Sequence, residues 1–346
     1  VLATLALTTT FAPAAGSSNC TAYSGPELQD QIHDKRCATI FLAAVGNFYM
    51  KPACTDSIGI SSLLCIDRAV TLAGDGSALL APEPGSDPAR VVHVTMNATV
   101  VMYRVTVAFG NPIGISHAGA PGAGIYNEGR LTMIRSNISG NVGFNGYGDG
   151  GGIFNSDRAR LSLHSCSLQG NEAGTGCGGA IANFGTLQVD GCDIVRNRAR
   201  CDGGYVKAAG GGGIFSMGQS ATADISNSLI QNNSAAAGGG VHNGFESCSV
   251  MTISNCTISE NHAHAGGSVG VGGWGGGGVH NWGDGGESCA RLTIINACIQ
   301  NNHLDPGPHD PPSPPRNCSS TGVENGGILS LIAPSCKAED ACCGCE

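Results

Sequence analysis

Cysteine and histidine are the residues of this 346-residue chain with the most chemistry in reach, 17 of the one and 10 of the other. Cysteines at this density point to an oxidising compartment and to disulfides. Cys248 and Cys289 each precede an aliphatic residue of a repeated pattern, Ile253 and Ile294, by five positions, while Cys166 and Cys192 each follow one, Leu163 and Val189, by three. Equivalent positions of stacked repeats lie at a separation that a disulfide can bridge. Cys248–Cys289 and Cys166–Cys192 are therefore expected as staples, with buried thiols in inward slots as the alternative for the second pair. Cys177–Cys201 and Cys256–Cys298 follow less closely, because Cys298 is one residue out of register. Cys20–Cys37 and Cys54–Cys65 would tie down the N-terminal part and Cys318–Cys336 the last repeat. Cys-x-x-Cys pairs at finger spacing are absent from the sequence, and the tail Cys342-Cys343-Gly-Cys345 has no partner cluster, which argues against structural zinc.

His242 and His280 occupy one position of two successive repeats, with His262 and His264 close by in sequence. Metal ligation is the first chemistry to weigh there. Tyr126, Phe154 and Phe215 fill the same position elsewhere, so an outward stack of rings is the simpler expectation, with no metal and no cofactor. Carboxylate pairs would serve acid–base catalysis. The nearest, Asp190 and Asp193, differ by an odd number and would face opposite sides of a strand, so the chain is expected not to be an enzyme.

These positions have meaning only through the element that carries them, a repeat read six times. Its opening is Gly122-Ala-Gly-Ile-Tyr-Asn127, Gly150-Gly-Gly-Ile-Phe-Asn155, Gly178-Gly-Ala-Ile-Ala-Asn183, Gly211-Gly-Gly-Ile-Phe-Ser216, Gly238-Gly-Gly-Val-His-Asn243 and Gly276-Gly-Gly-Val-His-Asn281. An apolar pair follows, such as Leu131/Met133 or Leu187/Val189, and then Ile/Leu-x-x-Asn ending at Asn141, Asn171, Asn197, Asn233, Asn261 and Asn302. The opening aliphatics at 125, 153, 181, 214, 241 and 279 step by 28, 28, 33, 27 and 38. The apolar spacing of two is a strand period. Short strands, tight turns and a period near 28 predict an all-β, right-handed parallel β-helix solenoid with about three strands per turn. Aliphatics stack inside, and the two sets of asparagines form ladders, each Asn sitting at a bend in left-handed backbone. About nine or ten coils are expected, roughly 40–50 Å of rod at about 4.8 Å per coil.

Glycine is 55 of 346 residues, but its phasing with aliphatics favours ordered turns over low complexity. A net charge of −9 argues against a nucleic-acid partner. No apolar run is long enough to span a bilayer as a helix. Ahead of the repeats, strands are expected at Ala38–Leu42, Leu63–Ile66, Val70–Leu72, Val91–Val94 and Val100–Val107. Ser24-Gly-Pro-Glu27 is a capping box, and Leu28 and Ile32 share one helical face, so a short amphipathic helix should cover the N-terminal end. Val1–Ala15 reads either as the apolar part of a secretory signal or, over Leu2–Thr10, as an N-terminal strand. The expected organisation is an N-terminal segment and cap over 1–37, the β-helix over 38–304, a Pro-rich loop or linker over 305–317, and a last coil with Cys-rich tail over 318–346.

Glycosylation signals occur at Asn19, Asn97, Asn137, Asn232, Asn255 and Asn317. A glycan needs an outward Asn, which favours the two near bends, Asn137 and Asn232. Asp305-Pro-Gly-Pro-His-Asp-Pro-Pro-Ser-Pro-Pro-Arg316 is a stiff polyproline II segment. Its Pro-Pro-Ser-Pro-Pro core resembles the hydroxyproline-rich stretches of green-algal and plant wall glycoproteins; a plain inserted loop is the alternative.

Over 122–302 the paired motifs resemble the Gly-Gly-Ala-Ile and Phe-x-x-Asn repeats of bacterial polymorphic outer-membrane proteins and related adhesins. Residues 178–181 match the first motif as it stands, whereas Ile or Leu replaces Phe in the second. The resemblance implies a pectin-lyase-like superfold and a role at a cell surface. That superfold also hosts polysaccharide lyases, polygalacturonases and pectin esterases, but their signatures are absent from this chain. The expectation is a secreted, glycosylated structural module of an extracellular fibre, cell wall or appendage, associating end to end with copies of itself or with other matrix proteins. The alternatives are a carbohydrate- or surface-binding adhesin and, third, a degenerate polysaccharide lyase.

Overall fold

The computed structural model describes residues 18–44, 46–113, 119–143, 148–200, 210–244, 248–264, 276–282, 290–305, 323–325 and 328–332. One repeat illustrates the rest. Ile125–Asn127 lies in one sheet, Arg130–Ile134 in a second and Asn137–Ser139 in a third. The two-residue strand Val142–Gly143 lies in a fourth sheet, and the glycine turn returns the chain to the first at Ile153–Asn155. We name the sheets after this order: opening, flat, third and short. They hold 10, 11, 9 and 6 strands respectively. Neighbouring coils pair in parallel and in register, Ile125 with Ile153 and Ile181, Leu131 with Leu161 and Leu187. The architecture is a parallel β-solenoid of about seven regular turns. Nine or ten were expected; the N-terminal strands add rungs to the sheets without forming equal turns.

The core follows from the period of two. Ile125, Ile153, Ile181, Ile214, Val241 and Val279 are buried as one column, and Ile138, Leu168, Ile194, Ile230 and Ile258 as another. Inward asparagines form the two ladders. In the first, Nδ2 of Asn141 donates to Oδ1 of Asn171 (2.9 Å), and the series continues through Asn197 (3.0 Å), Asn233 (3.0 Å), Asn261 (3.0 Å) and Asn302 (2.9 Å). Each acceptor also takes the backbone N–H of the asparagine one coil earlier, as Asn233 Oδ1 takes Asn197 N–H at 2.9 Å. The second ladder runs Asn127, Asn155, Asn183 (2.8 Å steps), passes to Ser216 Oγ at 3.1 Å, and resumes from Asn243 to Asn281 at 2.8 Å.

One expectation at the bends is corrected. The left-handed residue is not the ladder asparagine but the residue before it: Gly140, Gly170, Arg196, Asn232, Glu260 and Asn301 all have φ between 52° and 62°. A side chain must turn inward to join the ladder, so the reversal is made one position earlier, where side chains face solvent. A second row of left-handed residues, Arg104, Arg135, Ser165, Asn227, Asn255 and Asn296, marks the preceding bend.

Ahead of the repeats the helix forms over Gly25–His33, with Ser24 Oγ accepting the Glu27 N–H and Leu28 and Ile32 buried. Arg68 fixes its far end, donating from Nε to Ile32 O (2.7 Å) and from Nη2 to Gln31 O (3.0 Å). Ser18–Ala22 and Cys37–Leu42, on either side of the helix, pair with each other in parallel. The stretch read as Val100–Val107 divides at Arg104 (φ 53°) into Thr99–Tyr103 and Thr106–Ala108. Strands at Asn47–Met50 and Leu79–Pro82 went unread.

Cys20–Cys37 and Cys54–Cys65 are disulfides, with Cα separations of 5.5 and 6.2 Å. Cys248 is disulfide-bonded, and its expected partner Cys289 lies outside the described residues. Cys166–Cys192 is not a disulfide: both are buried thiols. They belong to a third ladder, of Ser and Cys, in which Cys192 Sγ accepts the Cys166 N–H (3.3 Å) and Ser228 Oγ the Cys192 N–H (3.0 Å). Each thiol points to a carbonyl, Cys166 to Met133 O and Cys192 to Asp190 O, both at 3.4 Å, as a serine hydroxyl would. Cys256, in the same ladder, is also a thiol and is not joined to Cys298; the register sets Thr257 opposite Cys298. Cys177 is likewise a buried thiol and not half of the expected Cys177–Cys201 disulfide, while Cys201, Cys318, Cys336 and Asn317 lie outside the described residues. Val1–Ala15 and most of the Pro-rich stretch also lie outside them.

The ladders give a graded expectation. Asn197→Ala orphans the Asn171 N–H and amide and three carbonyl-side contacts at once, and should lower stability by about 3–5 kcal/mol. The exposed bend substitution Asn255→Ala should cost less, about 1 kcal/mol, because alanine tolerates the left-handed backbone there less well than asparagine does. Urea titrations followed by circular dichroism measure both.

Candidate functional site

The richest concentration of rings and titratable groups runs along the outer side of the opening sheet. Alternation turns Tyr126, Phe154, Ala182, Phe215, His242 and His280 to that side, in register from coil to coil. His93 extends the column towards the N-terminus. Centroid separations are 5.1 Å from His93 to Tyr126, 5.5 Å to Phe154, 5.3 Å from Phe215 to His242 and 4.6 Å from His242 to His280. The gap at Ala182 is bridged by Phe184, 5.0 Å from Phe154 and 6.2 Å from Phe215.

The expected ring stack is present but it is covered. Phe215, His242 and His280 are 1%, 0% and 4% exposed. A second, smaller core joins Ala182 and Phe215 to alanines of the short sheet, Ala173, Ala199 and Ala235. The glycine turns make that approach possible. Gly178 has φ 72°, and a Cβ on Gly179 would come within 2.6 Å of the Arg198 carbonyl carbon.

At the C-terminal end of the column, Nδ1 of His280 and Nδ1 of His242 are 3.2 Å apart, so one imidazole donates to the other. His242 Nε2 is buried and has no partner among the described residues. Burial holds the His242 imidazole well below its usual range, with the neighbouring His280 adding to the effect, and burial lowers His280 to about 4. Both rings are neutral, the form that binds metals. A metal centre needs at least a third ligand, and no group of three or more His, Cys, Asp or Glu side chains is gathered around a common point among the described residues. His262 and His264 stand in the short sheet, outside the column. The pair is read as packing.

The N-terminal end holds a polar network that the sequence reading missed. Arg90 is fully buried with Asp56, its Nη1 donating to Asp56 Oδ2 at 2.9 Å and to Ser62 Oγ at 3.2 Å. Its Nε donates to Gly122 O (3.1 Å), its Nη2 to Pro121 O (2.9 Å), and the guanidinium lies 4.7 Å from the Tyr126 ring centre. Beside it, His93 Nε2 meets Glu128 Oε2 at 2.7 Å, and Tyr126 Oη donates to Glu128 Oε1 at 3.4 Å. An imidazole, a carboxylate and a phenol together form an acid–base grouping. Burial, with the Glu128 charge next, pushes the Tyr126 phenol up, which opposes service as a base. Arg90 is engaged on every side. An arginine at the head of the apolar run Val91–Val94 was the one available signal.

Asp149, just ahead of the glycine turn at Gly150, has a buried carboxyl and serves the fold. Its Oδ1 accepts the Cys177 N–H at 2.7 Å, a tie from one coil to the next, and burial raises its carboxyl to about 6. All five described glycosylation candidates, Asn19, Asn97, Asn137, Asn232 and Asn255, are exposed. Asn232 and Asn255 occupy left-handed bends, φ 55° and 51°. No protein-family description, curated protein or solved structure matches the chain.

Two predictions follow from the ends of the column. For the histidines the folded-state values lie below the unfolded value of about 6.5, so their contribution is full above pH 6.5 and lost as pH falls towards 4. Replacing both with phenylalanine, which the slot already accepts, should therefore reduce the acid loss of stability between pH 7 and 4.5, by about 2–3 kcal/mol for His280 alone with His242 adding to it, read from urea midpoints at each pH. At the other end, Asp56→Ala leaves a buried guanidinium without its counter-charge and should cost about 3–5 kcal/mol. Arg90→Met with Asp56→Ala should cost less than the two single changes summed.

Proposed function

We propose that this chain is a secreted, glycosylated structural β-solenoid, a rigid module of an extracellular fibre, wall layer or surface appendage. One observation carries the reading: the repeated polar slots, two asparagine ladders and a Ser/Cys ladder, join coil to coil, with a single break at Asn243 Oδ1, which is buried and has no partner among the described residues. The interior is built for length and stiffness. The ring column is buried and the Arg90 guanidinium is engaged on every side, which supports a non-enzymatic role. Disulfides near the N-terminal end and the outward sequon asparagines are compatible with an oxidising, glycosylating route of export. The repeat's likeness to surface-protein repeats points the same way.

The helix Gly25–His33 sits on the N-terminal coils, packed on the strands Asn47–Met50 and Ser61–Ile66. The helix covers those coils, which supports association through the opposite end of the rod. A second reading, an adhesin, draws on the outer side of the flat sheet. There Thr132, Ser162, Gln188, Asp224, Thr252 and Thr293 form one in-register polar column suited to hydroxyl-rich glycans.

Electron microscopy of native material distinguishes the two. A fibre module should appear in filaments whose axial repeat is near the rod length, roughly 40–50 Å for nine or ten strand spacings of about 4.8 Å. Monodisperse monomers that bind immobilised glycans would replace the structural reading with the adhesin.

A further inference from the structure

The disulfide Cys54–Cys65 stands at the head of the ring column. The register sets Cys65 opposite His93, and His93 opposite Tyr126 one coil further on. Nδ1 of His93 lies 3.9 Å from Cys65 Sγ, and its Nε2 meets Glu128 Oε2 at 2.7 Å. A neutral ring gives its Nε2 proton to the carboxylate, which turns the Nδ1 lone pair towards sulfur. Sulfur, imidazole and carboxylate in that order form the arrangement that activates a cysteine. Tyr126 stacks on the imidazole at 5.1 Å, and the other charge nearby, Arg90, is matched by Asp56. The disulfide is not what holds its own hairpin. Cys54–Thr55 pairs antiparallel with Ser61–Ile66. Ala53 N–H donates to Ser62 O (2.9 Å) and Asp56 N–H to Ile60 O (3.0 Å), while the Asp56 carboxylate takes the Ile60 N–H (2.8 Å) and the Arg90 guanidinium (2.9 Å). Those ties remain when the S–S bond opens.

We propose that Cys54–Cys65 is an exchangeable disulfide, a site of thiol–disulfide exchange with a low-molecular-weight thiol, in which His93 is the acid–base group and Glu128 positions His93. The thiolate of the small thiol attacks Cys54 Sγ. A new S–S bond joins the two, the Cys54–Cys65 bond breaks, and its electron pair stays on Cys65 Sγ. The proton given up by the small thiol reaches Cys65 through Nδ1 of His93. A second small thiol then resolves the mixed disulfide, so two small thiols are oxidised to one disulfide as Cys54 and Cys65 are reduced to thiols. The attack falls on Cys54 because it lies on the edge strand of the opening sheet between the exposed Ala53 and Thr55. Cys65 is the better leaving group because its thiolate forms beside the imidazole. Cys20–Cys37 has no imidazole bonded to either sulfur among the described residues and serves as the contrast. The site does not depend on the proposed structural role.

The test uses the full chain with its disulfides intact. It is incubated with reduced glutathione, quenched in acid and alkylated, and each cysteine is followed by peptide mass mapping. Cys54–Cys65 should open about tenfold faster than Cys20–Cys37 in the same chain, and the first glutathione adduct should sit on Cys54. His93→Gln should slow that opening about tenfold at neutral pH and change the shape of its pH profile, which loss of packing alone would not do. Glu128→Gln should slow it about threefold and displace the same profile. Equal thermal melts of the oxidised proteins would show that the variants are folded. Should His93→Gln not fold, Glu128→Gln takes its place, and the comparison of the two disulfides in the unsubstituted chain decides even without either variant. Equal opening rates for the two disulfides, a first adduct on Cys65, or a pH profile unaltered in the folded variants would overturn the proposal.

Discussion

Everything in this molecule depends on a side-chain amide satisfying itself one coil further on. An asparagine buried in an aliphatic interior carries two donors and an acceptor that water cannot reach, and leaving them unpaired costs more than the pairing contributes. Stacking identical asparagines at the spacing of a parallel sheet solves this along the whole series from Asn141 to Asn302. The solution works only if coils stay in register, because a slip by one residue would turn every inward side chain out. The ladder thus imposes the register that the aliphatic columns, the ring column and the Ser/Cys ladder all use.

The same logic explains where special backbone is found. Each bend needs one residue of positive φ, and it falls where the side chain is in solvent. Arginine, glutamate, asparagine and glycine alternate there without consequence for the core. The inward position next to it tolerates far less. The Ser/Cys ladder shows the intermediate case: a small side chain that accepts one N–H and points to one carbonyl is enough, and either hydroxyl or thiol meets the need. Closed polar slots of this kind stabilise the rod but leave few groups available for chemistry.

Much of the fold was legible. The period of two, the six glycine-led openings and the in-register asparagines identify a parallel solenoid, and the Ser24–Glu27 pattern with Leu28 and Ile32 identifies the capping helix. What remained unread has physical causes. Cysteines at equivalent positions look like staples, yet Cys166 and Cys192 occupy slots whose neighbours are Ser136 and Ser228, and the slot selects for a small hydrogen-bonding group rather than for a bond. The outward face of a strand reads as solvent-facing, yet the short sheet and its alanines cover the ring column. The Arg90–Asp56 pair joins residues 34 apart with no motif between them.

The turns on either side of the opening sheet absorb the variation in repeat length, from 27 to 38 residues, while the connections from the flat sheet to the third and from the third to the short sheet keep one length in every regular repeat. The rod is thereby a counting device. A whole coil can be copied or deleted with every hydrogen bond re-formed at the new junction, so reach changes in steps of one strand spacing, whereas those turns can diversify in sequence without altering that reach. Length and surface character are separately heritable properties of one chain.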